Sequence, residues 1–421
     1  MAGIWVGVAL LAVIYVVVAI GKLEAALVAL LGAVAALEFR LISQEHAFAA
    51  VDWNTIFLLI GMMIVVGITK RTGIFQYLAI KSAKIARGRP AVILVLLSLV
   101  TAAVSAFLDN VTTVLLIVPV TILIADSLRL DAFPFLLCEV IASNIGGTAT
   151  LIGDPPNIMI GSAARISFNA FVVNLTPVVI CILGVLVGIA LLLFRKKMST
   201  KPELIAGIME LDERKSITDI RLTRICLVIF GFTIAGFMLY DRLHLQPATI
   251  ALTSAALLMY FSRVNVGEVF KEVEWSTIFF FIGLFIVVAA VKEQGVFDIL
   301  ATRLLSATRG QFTIMTLAIV WISAFAAAFV GAVPFVATMI PFLNQIIPSL
   351  PSSGIALWWA LSLGACLGGN GTLTGSAANM VIAGIARQHA IDFSYRRFFK
   401  YGFAAMIVSV LISTVYLLLR Y

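Results

Sequence analysis

Three carboxylates stand inside long apolar stretches of this chain: Asp109, Glu139 and Asp154. A carboxylate at the centre of a membrane helix costs about 3 kcal/mol on insertion scales and is normally paired or functional, most simply as a holder of a proton or a small cation. Asp109 sits in Ser105-Ala106-Phe107-Leu108-Asp109-Asn110-Val111-Thr112-Thr113, where one apolar segment ends and another begins. Helix ends at such a tip expose carbonyls and N–H groups, which hold ions of either sign. Asp109 is also a residue type that caps helix N-termini, a role compatible with ion binding. Asp154 precedes Pro155-Pro156, which suit the first turn of a new helix, so it too is a cap or an ion ligand. Glu139 lies four residues before Ser143, on the same helical face, and is either a proton relay or the partner of a basic residue. Asp109, Asn110, Glu139 and Asp154 are therefore the candidates for the coupling ion.

The stretch that holds these residues occurs twice. Asp109 to Asn157 matches Gly331 to Asn379 at a constant offset of 222, with Pro119 on Pro341, Gly146-Gly147 on Gly368-Gly369, Thr150 on Thr372, Gly153 on Gly375 and Asn157 on Asn379. Glycine-interrupted, polar breaks in apolar helices survive in a membrane only where they line a cavity, and a duplicated pair points to the binding site of a secondary transporter. The substrate candidates in the first copy are Thr112, Thr113, Ser143, Asn144, Gly146, Gly147, Thr148, Thr150 and Asn157. Those in the second are Cys366, Gly368, Gly369, Asn370, Thr372, Thr374, Ser376 and Asn379. The mismatches carry information as well: Asp109-Asn110 becomes Gly331-Ala332, Asp154 becomes Ser376 and Asn144 becomes Cys366. All carboxylates of the pattern belong to the first half, and the second half offers hydroxyls and amides.

The elements that must position these residues are membrane spans. With 62% hydrophobic and 12% charged residues, the chain lies far outside the composition of a soluble domain. About 20 apolar residues per span divides residues 1–194 into spans 4–20, 23–42 and 53–69, an interrupted piece 91–125, a broken segment 133–164 and a span 171–194. A polar linker, 195–224, follows. Residues 225–421 repeat the order with spans 225–240, 246–262 and 275–291, an interrupted piece 312–347, a broken segment 355–386 and a span 399–419. Asp52-Trp53-Asn54-Thr55-Ile56-Phe57 matches Glu274-Trp275-Ser276-Thr277-Ile278-Phe279. The first span lacks the basic stretch and small-residue cleavage site of a signal peptide.

Each interrupted piece reads as a re-entrant helical hairpin, so each half crosses the membrane five times and the halves are inverted. A cytoplasmic linker then places Lys70, Arg71, Lys81, Lys84, Arg87, Arg89, Arg387, Arg396, Arg397, Lys400 and most of the 29 basic residues on the cytoplasmic side. Both termini are expected outside. The expected fold class is thus an all-α polytopic protein of the cytoplasmic membrane, with two inverted five-span repeats, each holding one hairpin and one broken helix. The net charge of +8 bears on this orientation and implies no nucleic-acid partner. Cys138, Cys181, Cys226 and Cys366 fall in apolar segments without paired spacing, which supports neither a disulfide framework nor a metal site. There is no His-Glu-x-x-His or Gly-x-Ser-x-Gly motif, and the histidines His46, His244 and His389 lie near span ends, so an intramembrane enzyme is not expected.

The phrases Phe107-Leu108-Asp109-Asn110-Val111-Thr112-Thr113-Val114-Leu115 and Asn144-Ile145-Gly146-Gly147-Thr148-Ala149-Thr150-Leu151-Ile152-Gly153-Asp154-Pro155-Pro156-Asn157 resemble the ion transporter superfamily. The resembling branch holds the ArsB arsenical pump membrane proteins, NhaD-type antiporters and P-protein permeases. The resemblance covers essentially the whole chain and implies a scaffold of the first three spans of each half around a mobile unit of hairpins and broken helices. It also implies a homodimer as one expected assembly and a cytosolic ATPase as a conceivable partner.

An acidic first half facing a neutral, hydrogen-bonding second half favours a small polyhydroxylated solute of low charge over a di- or tricarboxylate. The expected function is secondary active efflux of arsenite or antimonite against protons, with proton or sodium as coupling ion and no further cofactor. Sodium/proton antiport is the alternative, and carboxylate transport the third. Asp109 is expected to cycle between charged and neutral forms. Asp109→Asn should abolish arsenite resistance in cells that depend on this chain; unchanged arsenite efflux would remove Asp109 from the proton step.

Overall fold

The computed structural model describes residues 2–210, 212–243, 245–308, 310–350 and 354–421, and His244 lies outside them. The first half runs α1 Ala2–Ile20, α2 Ala25–Glu38, α3 Gln44–Ala49, α4 Trp53–Lys70, α5 Ile74–Ile85, α6 Pro90–Ser105, α7 Asn110–Ser127, α8 Phe133–Thr148, α9 Pro155–Ala164 and α10 Phe168–Phe194. The linker holds α11, Pro202–Glu210, between two 3-10 turns. The second half runs α12 Ile220–Leu243, α13 Pro247–Ser262, α14 Val266–Phe270, α15 Trp275–Glu293, α16 Val296–Ala307, α17 Phe312–Val330, α18 Ala332–Ile346, α19 Ile355–Gly368, α20 Ala377–Gln388 and α21 Tyr395–Arg420. The repeat thus extends helix for helix, α1 to α10 on α12 to α21, and includes the short connectors. No strand occurs among the described residues.

Nine of the described helices are long and apolar enough to cross a bilayer. α6 and α8, at 16 residues each, are not. At 1.5 Å per residue each reaches roughly 24 Å, less than a 30 Å hydrocarbon core. Local sequence sets the stops. Pro90 opens α6, Asp109 caps α7 by accepting the Thr112 N–H at 2.8 Å, and Pro155 opens α9. In the second half one residue makes the hairpin tip: Gly331, at φ 97°, ends α17 and begins α18. That conformation is open to glycine and strained for other residues.

Packing follows the repeat. α6 lies along α8, and α17 along α19, at backbone contact. A Cβ on Gly146 would stand 2.1 Å from the Ala102 carbonyl oxygen, and one on Gly368 2.5 Å from that of Ala324. α4 pairs with α13, and α2 with α15, again through glycines: Gly61 against Ala251, Gly283 against Ala29. Small residues at such crossings let backbones approach where no hydrophobic force drives helices together. Every residue of α8 is buried, and so is α19 from Ala356 onward, so these two helices form the centre of the molecule.

Contacts at both ends of α4 and α15 set the relation of the halves. Glu272, just before α15, pairs with Lys70 and Arg71 at the end of α4. Glu293, at the end of α15, meets His46, before α4, at 2.8 Å. The matched helices α4 and α15 therefore run in opposite directions. The linker is folded rather than loose: Thr218 bonds the Thr72 and Arg71 carbonyls, and Glu213 pairs with Lys84 at 2.6 Å.

Gly146→Ala and Gly368→Ala should each destabilise the fold by about 1–3 kcal/mol, because the added methyl meets fixed backbone. Thermal unfolding in detergent checks this. Midpoints equal to wild type in both variants would show that the helices can part without loss.

Candidate functional site

The breaks between α8 and α9 and between α19 and α20 leave backbone carbonyls unpaired, and one asparagine in each half closes them. Asn157 Nδ2 donates to the Thr150 carbonyl at 2.9 Å and the Thr148 carbonyl at 3.2 Å. Asn379 Nδ2 does the same for Thr372 at 2.7 Å and Gly369 at 2.8 Å. The Oδ1 atoms then reach across the molecule: Asn157 accepts from Ser362 at 2.6 Å and from the Cys366 thiol at 3.5 Å, and Asn379 accepts from Asn144 at 3.1 Å. Positions 144 and 366 correspond in the repeat, so each half tethers the other's unwound loop.

Asn144 is the centre of this network. Its Oδ1 accepts from Asn110 Nδ2 at 2.9 Å and Ser376 Oγ at 3.0 Å, and its Nδ2 donates to Asn370 Oδ1 at 2.9 Å as well as to Asn379. A primary amide offers two acceptor sites and two hydrogens, and here all four are used. The first hairpin tip, the two broken helices and the start of α20 are joined through one side chain.

Beside the network lies a cavity of 420 Å³. Its polar wall from the first half consists of Asp109, Asn110, Asn144 and Asp154. The second half contributes Thr374, Ser376, Cys366, Gly369, Gly375 and the Gly331 tip. The cavity runs to one end of the molecule, where Gly21 and Leu23 between α1 and α2, and Glu274 and Ser276 at the start of α15, form its mouth. Among the described residues no Lys or Arg lines it. Asp154 is 6% exposed and faces Asn110 and Cys366, with Asp109 close by. α18 and α20 begin at the cavity without a capping side chain, and so does α9, since Asp154 at its start makes no cap bond; Asp109, by contrast, caps α7.

Other sequence candidates stand behind this wall, engaged with backbone. Thr150 and Thr372 bond the Ala106 and Ala328 carbonyls at the hairpin tips, and Thr148 donates to Asn144 O at 2.8 Å. Ser143 donates to Val140 O at 2.9 Å, while its own carbonyl accepts from Ser105. Thr112 gives its N–H to Asp109, and Thr113 is fully buried with its hydroxyl unpartnered. Gly146 and Gly368 are helix contacts, and Gly147 meets Gly153 across the break. Asn157, Asn370, Thr372 and Asn379 are fully buried in the network. Glu139 is 1% exposed on α8, away from the cavity; Oε1 meets Thr121 Oγ1 at 2.5 Å and Oε2 has no partner. It has no basic partner among the described residues.

Glu274, Ser276 and Thr277 line the mouth and were not among the sequence candidates. Their signal was present, since Glu274 matches Asp52 in the repeat and keeps its negative charge at a span end. Thr277 donates to Glu274 at 3.0 Å and Ser276 to Glu24 at 3.0 Å. Desolvation beside the cavity and the nearby Asp109 carboxylate push the Glu274 carboxyl above its usual range, against the pull of Thr277 and Lys70.

A helix-for-helix repeat whose broken centres meet beside a polar cavity defines a multi-pass membrane transport protein. Residues 15–364 match the model of the citrate transporter family, and the chain belongs to that family. An uncharacterized transporter of Mycobacterium tuberculosis is 41% identical over 97% of this chain and 96% of its own length. The 46 kDa membrane protein of Mycobacterium leprae is 40% identical over 97% of each. The P protein of Mus musculus is 33% identical over 98% of this chain, which spans 60% of that longer protein. The crystal structure of the Alcanivorax borkumensis YdaH transporter shares the fold at a TM-score of 0.59, with 15% identity over 86% of this chain and 84% of that one.

Asn144→Ala should cost on the order of 3 kcal/mol, since it strands buried groups of Asn110, Asn370 and Asn379. Thr374→Ala, at the cavity wall, should unfold near the wild-type temperature. Equal thermal midpoints for Asn144→Ala and wild type would show that the network does not hold the broken helices.

Proposed function

We propose that the chain is a proton-coupled secondary transporter in which Asp154 and Asp109 hold the coupling proton. The solute enters the cavity without net negative charge; arsenite or antimonite, leaving the cell in exchange for protons, is the leading reading. One observation carries this: Asp109, Asp154 and Glu274 face the cavity while no Lys or Arg among the described residues does. A bare tricarboxylate would meet like charge at every level from mouth to tip. A neutral oxyacid would meet the hydroxyls of Thr374 and Ser376 on one side and carboxylates able to give or take a proton on the other. The motif around Asp109 and Asp154, with its likeness to arsenical pumps and NhaD-type antiporters, supports the same assignment.

The opposed directions of α4 and α15 support inverted repeats, with the mouth at the end that carries Lys70, Arg71 and the linker. With that end cytoplasmic, as the basic residues favour, the cavity is open to the cytoplasm and positioned for export. The family match favours a second reading, in which citrate enters with a bound cation or protons that offset the acidic wall.

Proteoliposome flux decides between them. With an imposed pH gradient, arsenite should move against protons, and Asp154→Asn should lower the gradient-driven rate about tenfold or more. Citrate flux that requires a divalent cation, with no arsenite flux, would replace the first reading by the second. Fluxes indifferent to the pH gradient would remove proton coupling altogether.

A further inference from the structure

On the side of α8 away from the cavity, α8, α10 and α21 enclose a groove of 100 Å³. Its walls are apolar apart from the Cys138 thiol and the Tyr401 hydroxyl, with Ile141 and Ala142 of α8 on the floor. It opens outward beside Ile189 and Leu193, which are 37% and 58% exposed and face the lipid.

One end of the groove is closed by Phe194 and Tyr401, whose ring centres are 5.4 Å apart. The neighbouring residues on both helices are basic: Arg195, Lys196 and Lys197 after α10, and Arg396, Arg397 and Lys400 on the first turns of α21. Two of these are engaged. Asp131 takes Lys197 at 3.3 Å and Arg397 at 2.9 Å, and the Arg397 guanidinium lies 3.7 Å over the Phe133 ring. Burial alone would raise the Asp131 carboxyl, but the Phe133 N–H, Lys197 and Arg397 hold it below its usual range, so it stays charged at neutral pH and keeps both cations in place. Arg195, Lys196, Arg396 and Lys400 are exposed and have no carboxylate at ion-pair distance among the described residues.

We propose that this groove is a binding site for one anionic phospholipid, with an acyl chain between α8, α10 and α21 and the phosphate on Lys196, Arg396 and Lys400. The apolar channel alone would accept any acyl chain. The uncompensated positive charge at its closed end selects an anionic headgroup, as basic pockets at the ends of membrane helices do. The depth order is also right for a lipid: charge at the span ends, aromatic rings next, aliphatic side chains below. The acyl chain would then press on Ile141 and Ala142, less than one turn of α8 from Asn144.

Native mass spectrometry of the full-length protein, extracted from membranes of phosphatidylethanolamine and phosphatidylglycerol, tests this. Wild type should retain one phosphatidylglycerol in preference to phosphatidylethanolamine. The triple variant K196Q/R396Q/K400Q should lose that preference, and Ala190→Phe, which fills the groove, should lose the bound lipid with its charges intact. Lys271→Gln, a basic residue remote from the groove, should behave as wild type, and thermal unfolding of each variant separates lipid loss from misfolding. Retention of phosphatidylglycerol at the wild-type level in the folded triple variant, or in folded Ala190→Phe, would overturn the proposal. Equal retention of the two lipids by wild type would do the same.

Discussion

Backbone unwound inside a membrane must find every hydrogen-bond partner within the protein, because the surrounding hydrocarbon supplies none. This requirement governs the centre of the molecule. Two broken helices in apolar surroundings stay open only because Asn157 and Asn379 occupy the places of the missing helical bonds. Their carbonyl oxygens are then held from the opposite half. Closure of each break thus depends on the other half being in place, and Asn144, with no free valence, is where the two dependencies meet.

The arrangement separates residues that build the site from residues free to use it. Apart from Asn370 Nδ2, which is buried without a partner, amides and hydroxyls in the network are spent on one another and on backbone, and a solute could engage those only by breaking existing bonds. Spare capacity lies on the cavity wall, in Asp109, Asp154, Thr374 and the residues of the mouth. The wall is chemically uneven: around the broken helices the carboxylates come from the first half and the second half offers neutral polar groups, while at the mouth the carboxylate is Glu274 of the second half.

Much of this was legible in the sequence. The offset that matches Gly146 with Gly368 and Asn157 with Asn379 marks the breaks, and hydropathy with Pro and Gly punctuation marks the helices around them. Residue type could not separate Thr150 from Thr374. Both are threonines in a glycine-rich break, yet one hydroxyl is committed to the buried Ala106 carbonyl and the other, 3.1 Å from the Thr372 hydroxyl, stands at the cavity wall. That difference depends on where a neighbouring hairpin tip comes to rest, which is tertiary information. Glu274 was missed for a related reason. It sits at a span end, where acidic residues are ordinary, and only the course of the cavity makes it part of the wall. Glu139 is the reverse case, conspicuous in sequence and buried outside the cavity's lining.

The uncapped starts of α18 and α20 give the cavity an electrical direction. Helix N-termini carry a partial positive charge of about half an elementary charge, and here two of them face carboxylates across the cavity. The field between them aligns whatever enters. A solute with a polar axis would be held in one orientation before any single hydrogen bond chose it. Adding or removing a proton at Asp154 would change the strength of that field, so proton and solute can sense one another without touching.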